Sequence, residues 1–291
     1  MIRIKVPATS ANLAVGYDCM GMAVNLYNTF EFSPSDVLRI NGCPKDFQNE
    51  DNLVYRAFLK GCQNLDQEVP KVAIQIKSDI PVSRGLGSSA TCIVAGIVAA
   101  YVWFHVPVNH KDVLKLANEM EGHPDNVAPA IFGGLCMSFV QDGEIELINY
   151  PINQDYRFVA IIPNFKVSTE AARSILPHEL SYADVTYQVS HSLLLVNALA
   201  SGELNKLKIA LQDKMQEPYR QKLIKNYVEV KKICDKINCA MYISGSGSTL
   251  MGIADSDEKQ KLMIKKITEH LPAWRVEPVQ VENQGVKIEV L

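Results

Sequence analysis

A glycine-rich turn followed by a long uncharged segment is the feature that most constrains this chain. The turn consists of Pro81, Val82, Ser83, Arg84, Gly85, Leu86, Gly87, Ser88, Ser89 and Ala90, and residues 91–104 after it carry no charge. Such a turn, leading into a helix, points free backbone N–H groups and the positive end of the helix dipole at one spot, which suits a phosphate. Gly85 and Gly87 would let the backbone approach phosphate oxygens, while Ser88 or Ser89 would donate to phosphate or ligate magnesium. The turn therefore predicts a nucleotide-binding loop.

Other interpretations of this segment compete with a phosphate site. A glycine-rich turn often does no more than start a helix, and the residues alone leave that interpretation open. Gly85, Gly87 and Ala90 also match a dinucleotide-binding fingerprint, but that motif needs a hydrophobic strand directly before the turn and an acidic residue about 20 residues later, and neither is here. No Gly-Lys-Ser/Thr ends the turn, so it is not a Walker A loop. The uncharged run is shorter than the ~20 residues of a membrane span, so it predicts a buried core helix.

The composition is that of a globular protein with a small-molecule partner. The 291 residues carry a net charge of −3 with a pI near 6.1, which gives no electrostatic reason to expect nucleic acid or an anionic membrane. The seven cysteines form no C-x-x-C pair, which favours a reducing compartment over a disulfide framework or a zinc site. The first residues alternate as a strand and lack the apolar core of a signal peptide. We therefore expect a cytoplasmic protein of one large domain or two ordinary ones.

Two further stretches are rich in small and polar side chains. The first strand is predicted to end at Pro7, and residues 8–21 after it resemble a loop with too few apolar side chains for a core element, with Asn12 and Asp18 as its candidate functional residues. Residues 121–130 hold two carboxylates, an imidazole and an amide, and form either a solvated loop with capping residues or a site. Zinc binding there is disfavoured because no other histidine lies at zinc-ligand spacing.

The remaining pattern predicts an α+β protein. A helix is expected directly after Asp51, which would cap it, and Asp142-Gly143 is a predicted hairpin turn. A domain boundary is expected near residues 151–155. After it, the order strand, helices, strand, strand, helix, strand predicts helices on one face of a sheet. One of these helices is predicted from Glu217 to Lys236, and the turn Ser244–Ser248 is predicted between two strands.

Three segments, in this order, resemble the motifs of the GHMP kinase superfamily. Pro7 to Gly21 resembles its first motif, Pro81 to Ala90 its phosphate loop, and Ser244 to Thr249 its third motif. The departures from these motifs are Ala14, Tyr17 and Ser248, where the superfamily usually has glycine, phenylalanine and proline. None of the three removes a functional group, so the resemblance implies an intact site.

Within the superfamily the chain is most similar to the homoserine kinases. The similarity lies in the Asn12 to Asp18 spacing and in the segments His123–Pro129, Ser168–Arg173 and Glu217–Arg220. It implies ATP, Mg²⁺ and phosphoryl transfer to the terminal hydroxyl of L-homoserine, a step of threonine biosynthesis. It also implies a two-domain α+β fold and a homodimer. The N-terminal half, 1–153, would hold a left-handed-type βαβ unit around the phosphate loop, and the C-terminal half, 154–291, would be ferredoxin-like.

The resemblance also implies roles for individual residues. It places ATP at Asn52 and at the loop residues Pro81, Val82, Ser83, Arg84, Gly85, Leu86, Gly87, Ser88, Ser89, Ala90 and Thr91. It places magnesium at Ser89 and Glu121, with Glu119 as the alternative to Glu121. The substrate would contact Asn12, Asp18, His123, Arg173 and Arg220, and phosphoryl transfer would involve Asp125, Asn126 and Thr169. Whether any of these residues is a general base stays open.

The chemistry of homoserine explains why these residue types are wanted. Homoserine is a zwitterion, so its site needs a carboxylate for the ammonium group and guanidinium groups for the carboxylate, which Asp18 and the pair Arg173 and Arg220 would supply. Both arginines are predicted at N-terminal ends of helices, where the dipole favours anions, so an anionic partner is expected for them. Two alternatives stay open. A GHMP kinase for another substrate would have no use for that carboxylate, and an inactive relative should have lost the loop serines or Glu121.

Overall fold

The computed structural model describes residues 1–291, and its strands form two sheets. The strands are β1 (Ile2–Ala11), β2 (Met20–Pro34), β3 (Arg39–Asn41), β4 (Val72–Ser78), β5 (Leu135–Gln141), β6 (Glu144–Tyr150), β7 (Arg157–Ile162), β8 (Ala240–Ile243), β9 (Leu250–Ala254), β10 (Arg275–Val279) and β11 (Lys287–Val290). The helices are α1 (Leu53–Asn64), α2 (Ser88–Trp103), α3 (His110–Glu121), α4 (Pro124–Phe132), α5 (Thr169–Ser174), α6 (Tyr182–Ser201), α7 (Leu204–Ala210), α8 (Glu217–Arg220), α9 (Tyr227–Lys236) and α10 (Asp257–His270). Short 3₁₀ turns cover Lys45–Phe47 and Gln221–Leu223.

The first sheet is seven-stranded and is built around the long strand β2. One edge of β2 pairs with β1, and its other edge pairs with β4 and, further toward its start, with β5. Both β4 and β5 run antiparallel to β2 and so parallel to each other, with α2, α3 and α4 between them in the chain. The glycine-rich turn lies between β4 and α2, where that crossover begins.

The first strand is longer than predicted. It continues past Pro7 to Ala11, with a register irregularity between Pro7 and Ala8. Proline has no N–H for a sheet ladder, so it is tolerated where the ladder is interrupted. Residues 8–11 are completely buried, and their small side chains, which suggested a loop, instead let the strand pass between the two halves of the molecule.

The second sheet has the ferredoxin-like arrangement that was predicted. Its order is β10-β7-β9-β8 with every neighbouring pair antiparallel. Along the chain, helices separate β7 from β8, a turn joins β8 to β9, and α10 separates β9 from β10, which is the split βαβ pattern. The last strand, β11, leaves this half and pairs with β1 in the first sheet. A division of the chain at residues 153 and 154 stays a prediction, and it falls between the strands of the two sheets.

The uncharged segment forms the core helix α2, as predicted. Every residue from Ala90 to Tyr101 except Cys92 is buried. Gly61 and Gly96 allow α1 and α2 to approach closely. A side chain at Gly96 would meet the Val54 carbonyl oxygen at 2.3 Å, and one at Gly61 would meet Ala100 at 2.6 Å. None of the helices combines the length and apolar character needed to cross a bilayer.

Three local predictions have definite outcomes. The Asp142-Gly143 turn is confirmed, since both residues have positive φ and join the paired residues Gln141 and Glu144. The residue predicted to cap α1 was wrong, because the side chain that accepts from the Val54 N–H belongs to Asn52 and not to Asp51. The helix predicted over 217–236 is broken, since α8 ends at Arg220 and Asn226 adopts a left-handed conformation before α9.

Candidate active site

A cavity of about 470 Å³ brings most of the predicted site residues together. The predicted residues that line it are Asn12, Asp18, Asn52, Val82, Ser83, Arg84, Gly85, Leu86, Gly87, Ser88, Ser89, Glu121, His123, Asp125, Asn126, Thr169, Arg173 and Arg220. Three predicted ATP contacts are not in this lining: Pro81, Ala90 and Thr91. The Thr91 hydroxyl accepts from Asn28 and donates to the Ser88 carbonyl, so its polar atom serves the turn itself. A larger cavity of about 910 Å³ near Tyr150 and Asp257 contains none of these residues.

The glycine-rich turn opens α2 toward this cavity. Gly87 is the N-cap with φ 66°, and no side chain caps the helix, so the first N–H groups of α2 stay free for an anion. A side chain at Gly87 would meet the Thr9 hydroxyl at 1.9 Å, and one at Gly85, which has φ 73°, would meet the Ser244 carbonyl at 2.1 Å. Glycine is therefore required both by conformation and by contact with two other motifs.

Both halves of the molecule hold this turn in place. The Thr9 N–H donates to the Leu86 carbonyl at 3.2 Å, which ties the turn to β1. The Ser244 hydroxyl donates to the Gly85 carbonyl at 2.6 Å and the Thr249 N–H donates to the Arg84 carbonyl at 3.0 Å. The Ser244–Ser248 turn lies between β8 and β9 as predicted, and it acts as a support for the glycine-rich turn.

Ser89 and Glu121 meet at one side of the cavity. The Ser89 hydroxyl donates to Glu121 Oε1 at 2.8 Å. Burial raises the pKa of the Glu121 carboxyl above its ordinary value, although the Ser89 hydrogen bond opposes the shift. Glu119 does not line the cavity and forms an ion pair with Lys60 at 2.8 Å. The structure thus places Glu121, and not Glu119, beside the loop serines.

His123, Asp125 and Asn126 form the start of α4. Asp125 is 2% exposed, and its Oδ1 is hydrogen-bonded to His123 Nδ1. Burial alone would lower the pKa of His123, but the hydrogen bond to Asp125 and its negative charge raise that pKa above the ordinary value. The Asn126 amide lies between two partners, since its Oδ1 accepts from Thr9 Oγ1 at 2.7 Å and its Nδ2 donates to Asp125 Oδ1 at 3.4 Å.

Asp18 and Arg173 form a bidentate ion pair across the cavity. The two guanidinium nitrogens donate to the two carboxylate oxygens at 3.0 and 2.7 Å, although the residues are 155 positions apart. Asn12 orients the acid, because its Oδ1 accepts from the Asp18 N–H at 2.9 Å. The Asp18, His123 and Asp125 ligand atoms lie within 4.8 Å of one another. His123 and Asp125 already pair with each other, and Asp18 pairs with Arg173.

Arg220 is a buried cation with uncharged partners. It is 2% exposed, and it donates to the Ala172 carbonyl at 3.1 Å, to the Gly245 carbonyl at 2.9 Å and to the Gln216 side chain. Burial lowers the pKa of Arg220 below its ordinary value. A buried charge is costly without an opposite charge, so an anionic ligand in the cavity would stabilise this guanidinium.

The predicted position of the two arginines on their helices was wrong. Arg173 lies in the last turn of α5, and Arg220 is the last residue of α8. A cation at a C-terminal end is compatible with the helix dipole, so the argument from the dipole does not hold. The tyrosine at position 17, noted only as a departure from a motif, has its ring centroid 5.1 Å from Arg220 Cζ and 5.7 Å from Arg173 Cζ. Tyr17 thus contacts both cations.

Several residues in or beside the cavity have roles that the sequence did not reveal or left undefined. Asn52 uses its amide within the protein, accepting from the Val54 N–H and donating to the Phe47 carbonyl at 2.6 Å. Lys166 lines the cavity and is exposed, as is Thr169 at the start of α5. Thr9 was not singled out, and its place within the first motif was the signal that could have found it.

Comparisons with known proteins agree on one family. The chain matches the family model "GHMP kinases N terminal domain" over residues 52–134 and "GHMP kinases C terminal" over residues 195–273. A homoserine kinase from Clostridium botulinum (strain Okra / Type B1) is 40% identical over 292 residues, which cover 99% of this chain and 98% of that protein. A homoserine kinase from Clostridium beijerinckii is 40% identical over 295 residues, covering 99% of this chain and 98% of that protein.

Solved structures show the same fold. The crystal structure of a homoserine kinase from Cytophaga hutchinsonii superposes with a TM-score of 0.87 at 28% identity, covering 99% of this chain and 97% of that one. A mevalonate kinase structure has a TM-score of 0.74 at 16% identity, covering 97% of this chain and 99% of that one, and shows the fold alone.

Proposed function

The chain belongs to the homoserine kinases of the GHMP kinase family, and on that premise we propose that it transfers the γ-phosphoryl group of ATP to the side-chain hydroxyl of L-homoserine. The product is O-phospho-L-homoserine, a precursor in threonine biosynthesis. The observation that carries the substrate assignment is the arrangement of charge in the cavity, where the Asp18 carboxylate lies beside two guanidinium groups. This arrangement suits a small zwitterion that also carries a hydroxyl.

The substrate assignment follows from how the charges are partnered. Asp18 and Arg173 bind each other, while Arg220 has only uncharged oxygens. An amino acid supplies one positive and one negative group, so its ammonium would bind Asp18 while its carboxylate would bind Arg173 and Arg220. Binding would give the buried Arg220 the anionic partner that it lacks. Asn12 and His123 complete this part of the cavity, as proposed substrate contacts.

The glycine-rich turn supports the ATP assignment. The free N–H groups of residues 85–89 would hold the phosphates, and the remaining loop residues, with Asn52, would border the rest of the nucleotide. The same side of the cavity fits Mg²⁺, because Ser89 and Glu121 offer only oxygen atoms and a cation would favour the ionised Glu121 carboxylate. Bound there, magnesium would neutralise negative charge on the phosphates.

The residues around Asn126 would position the reacting hydroxyl. Phosphoryl transfer passes through a loose transition state, so orientation and charge stabilisation contribute most of the catalysis. Asp125 is hydrogen-bonded to His123 and to Asn126, so we assign it the role of holding both side chains. Asn126 and Thr169 would contact the hydroxyl that is phosphorylated.

The test is a substrate panel with the purified chain. ADP release is measured with ATP and Mg²⁺ in the presence of L-homoserine, mevalonate or galactose, and the product is identified by phosphorus NMR. We expect activity with L-homoserine alone and a phosphate ester on its hydroxyl. Higher kcat/KM with mevalonate or galactose would assign the chain to another substrate in the same family.

We also propose a cytoplasmic homodimer. The seven cysteines are all free, which supports a reducing compartment. One face of α6 exposes large apolar side chains at helical spacing, namely Tyr182, Val185, Val189 and Leu193. This exposed apolar face supports self-association through α6. Sedimentation equilibrium would give the mass in solution, and a monomer at micromolar concentration would contradict the dimer.

A further inference from the structure

The Asn126 amide has a defined orientation in this site. An amide can present either its oxygen or its nitrogen to the cavity, and its hydrogen-bond partners decide which. The Asp125 carboxylate can only accept, so it selects the Nδ2 side of the Asn126 amide, 3.4 Å from Asp125 Oδ1. The Oδ1 side then faces Thr9, whose hydroxyl donates to it at 2.7 Å. The reverse orientation would place the amide oxygen against the carboxylate oxygen.

Thr9 is itself held rigidly. It lies in β1 with no exposed surface, and its N–H donates to the Leu86 carbonyl at 3.2 Å. The backbone at Gly87 lies so close that a side chain there would meet the Thr9 hydroxyl at 1.9 Å. One hydroxyl is therefore in contact with the glycine-rich turn on one side and with the Asn126 amide on the other.

We propose that Thr9 is a positioning residue for phosphoryl transfer, acting through Asn126. The Thr9 hydroxyl holds the amide with Oδ1 turned toward β1, and Asp125 takes one Nδ2 hydrogen, so the second Nδ2 hydrogen is the donor that Asn126 offers to the cavity. Asn126 would then donate to the oxygen of the reacting hydroxyl and would not accept its proton. Contact with Gly87 sets the distance between that amide and the phosphate-binding turn. The inference rests on the proposed role of Asn126 at the reacting hydroxyl.

The sequence supports a specific role for a hydroxyl at this position. The neighbouring strand residues Ala8 and Ala11 are apolar and equally buried, so burial alone does not require a polar side chain in this part of β1. Valine has nearly the shape of threonine and cannot donate. Thr9→Val therefore removes the donor and leaves Asn126 Oδ1 without its partner, with the packing volume kept.

The experiment is a double-mutant cycle with a rescue. In the otherwise unchanged chain, Thr9→Val should lower kcat by about 10-fold to 100-fold with both KM values within about twofold, since a small misplacement of a positioned group has that effect. Thr9→Ser should keep kcat within a few-fold of the parent. In an Asn126→Ala background, Thr9→Val should have no further effect on kcat, because the group it positions is absent.

Three outcomes would overturn the proposal. These are an unchanged kcat in Thr9→Val, the same fold-loss with and without Asn126, and a rise in the KM for ATP at constant kcat. The last would mean that Thr9 supports only the glycine-rich turn. Circular dichroism and the thermal midpoint check folding, and Thr9→Ala replaces Thr9→Val if the latter does not fold. The cycle is run with whichever alcohol the chain phosphorylates, so a wrong substrate assignment and a wrong role for Thr9 give different results.

Discussion

Replacing Asp18 with asparagine separates the proposed function of that carboxylate from its contribution to stability. Asp18→Asn keeps the size and removes the charge that would bind the ammonium group of homoserine. A hydrogen bond to a charged group contributes about 1.5 to 3 kcal/mol, and each 1.4 kcal/mol is about tenfold in an equilibrium constant. We therefore expect the KM for L-homoserine to rise by about 10-fold to 150-fold. The KM for ATP should change by less than about twofold, because the glycine-rich turn is untouched.

The stability of the fold should change little in the same variant. The Asp18 and Arg173 side chains are 32% and 38% exposed, so their ion pair is partly solvated in spite of its bidentate geometry. Such pairs contribute about 0 to 1 kcal/mol to the free energy of unfolding. The thermal midpoint should therefore stay within a few degrees of the parent.

The assay compares two substrates and one matched variant. Initial rates are measured with L-homoserine and with 4-hydroxybutanoate, which has the carboxylate and hydroxyl but no ammonium group. The parent should strongly prefer L-homoserine, and Asp18→Asn should reduce that preference by about tenfold or more. Asp184→Asn is the control, because Asp184 has a similar exposure of 35% and an ion pair with Lys214 at 3.1 Å, outside the cavity. An unchanged preference in Asp18→Asn, or the same change in Asp184→Asn, would refute the reasoning.

Three further predictions concern magnesium and pH. Ser89→Ala should lower kcat by about 100-fold or more with an unchanged fold, and an active variant with normal magnesium dependence would contradict the loop assignment. Glu121→Gln should raise the magnesium concentration needed for half-maximal rate, whereas Glu119→Gln should not, and the reverse result would move the ligand to Glu119. Burial raises the pKa of Glu217 from its ordinary 4.5 to about 8, so its folded form holds a proton that the unfolded chain releases, and stability should fall as pH rises from 4.5 to 8. In Glu217→Gln the thermal midpoint should change less with pH across that range than it does in the parent. An equal pH dependence in the two proteins would show that another group titrates.

Much of the fold was predictable because its signals are local. The uncharged run 91–104 is apolar on every side, and only a buried helix satisfies such a segment in a chain of this composition. Asp142-Gly143 supplies the positive φ angles that a two-residue hairpin needs. The predictions that failed were also local, and for the end of the first strand a tertiary contact overrode the local pattern. Small residues after Pro7 indicated a loop, yet they continue β1 because the space between the two halves admits only small side chains.

The candidate site also has features that the sequence indicated and features that only tertiary packing decided. Residue types and spacing indicated the glycine-rich turn and the 121–130 stretch as candidate sites. The resemblance to the homoserine kinases added the charged set Asp18, Arg173 and Arg220. Which of these groups touch was set by packing between elements far apart in the chain. Three such contacts connect residues that are far apart in the chain. They are the ion pair of Asp18 with Arg173, the hydrogen bond from Arg220 to the Gly245 carbonyl and the hydrogen bond from Thr9 to Asn126. No periodicity within a single segment encodes such contacts, because distance along the chain does not specify distance in space once sheets and helices pack.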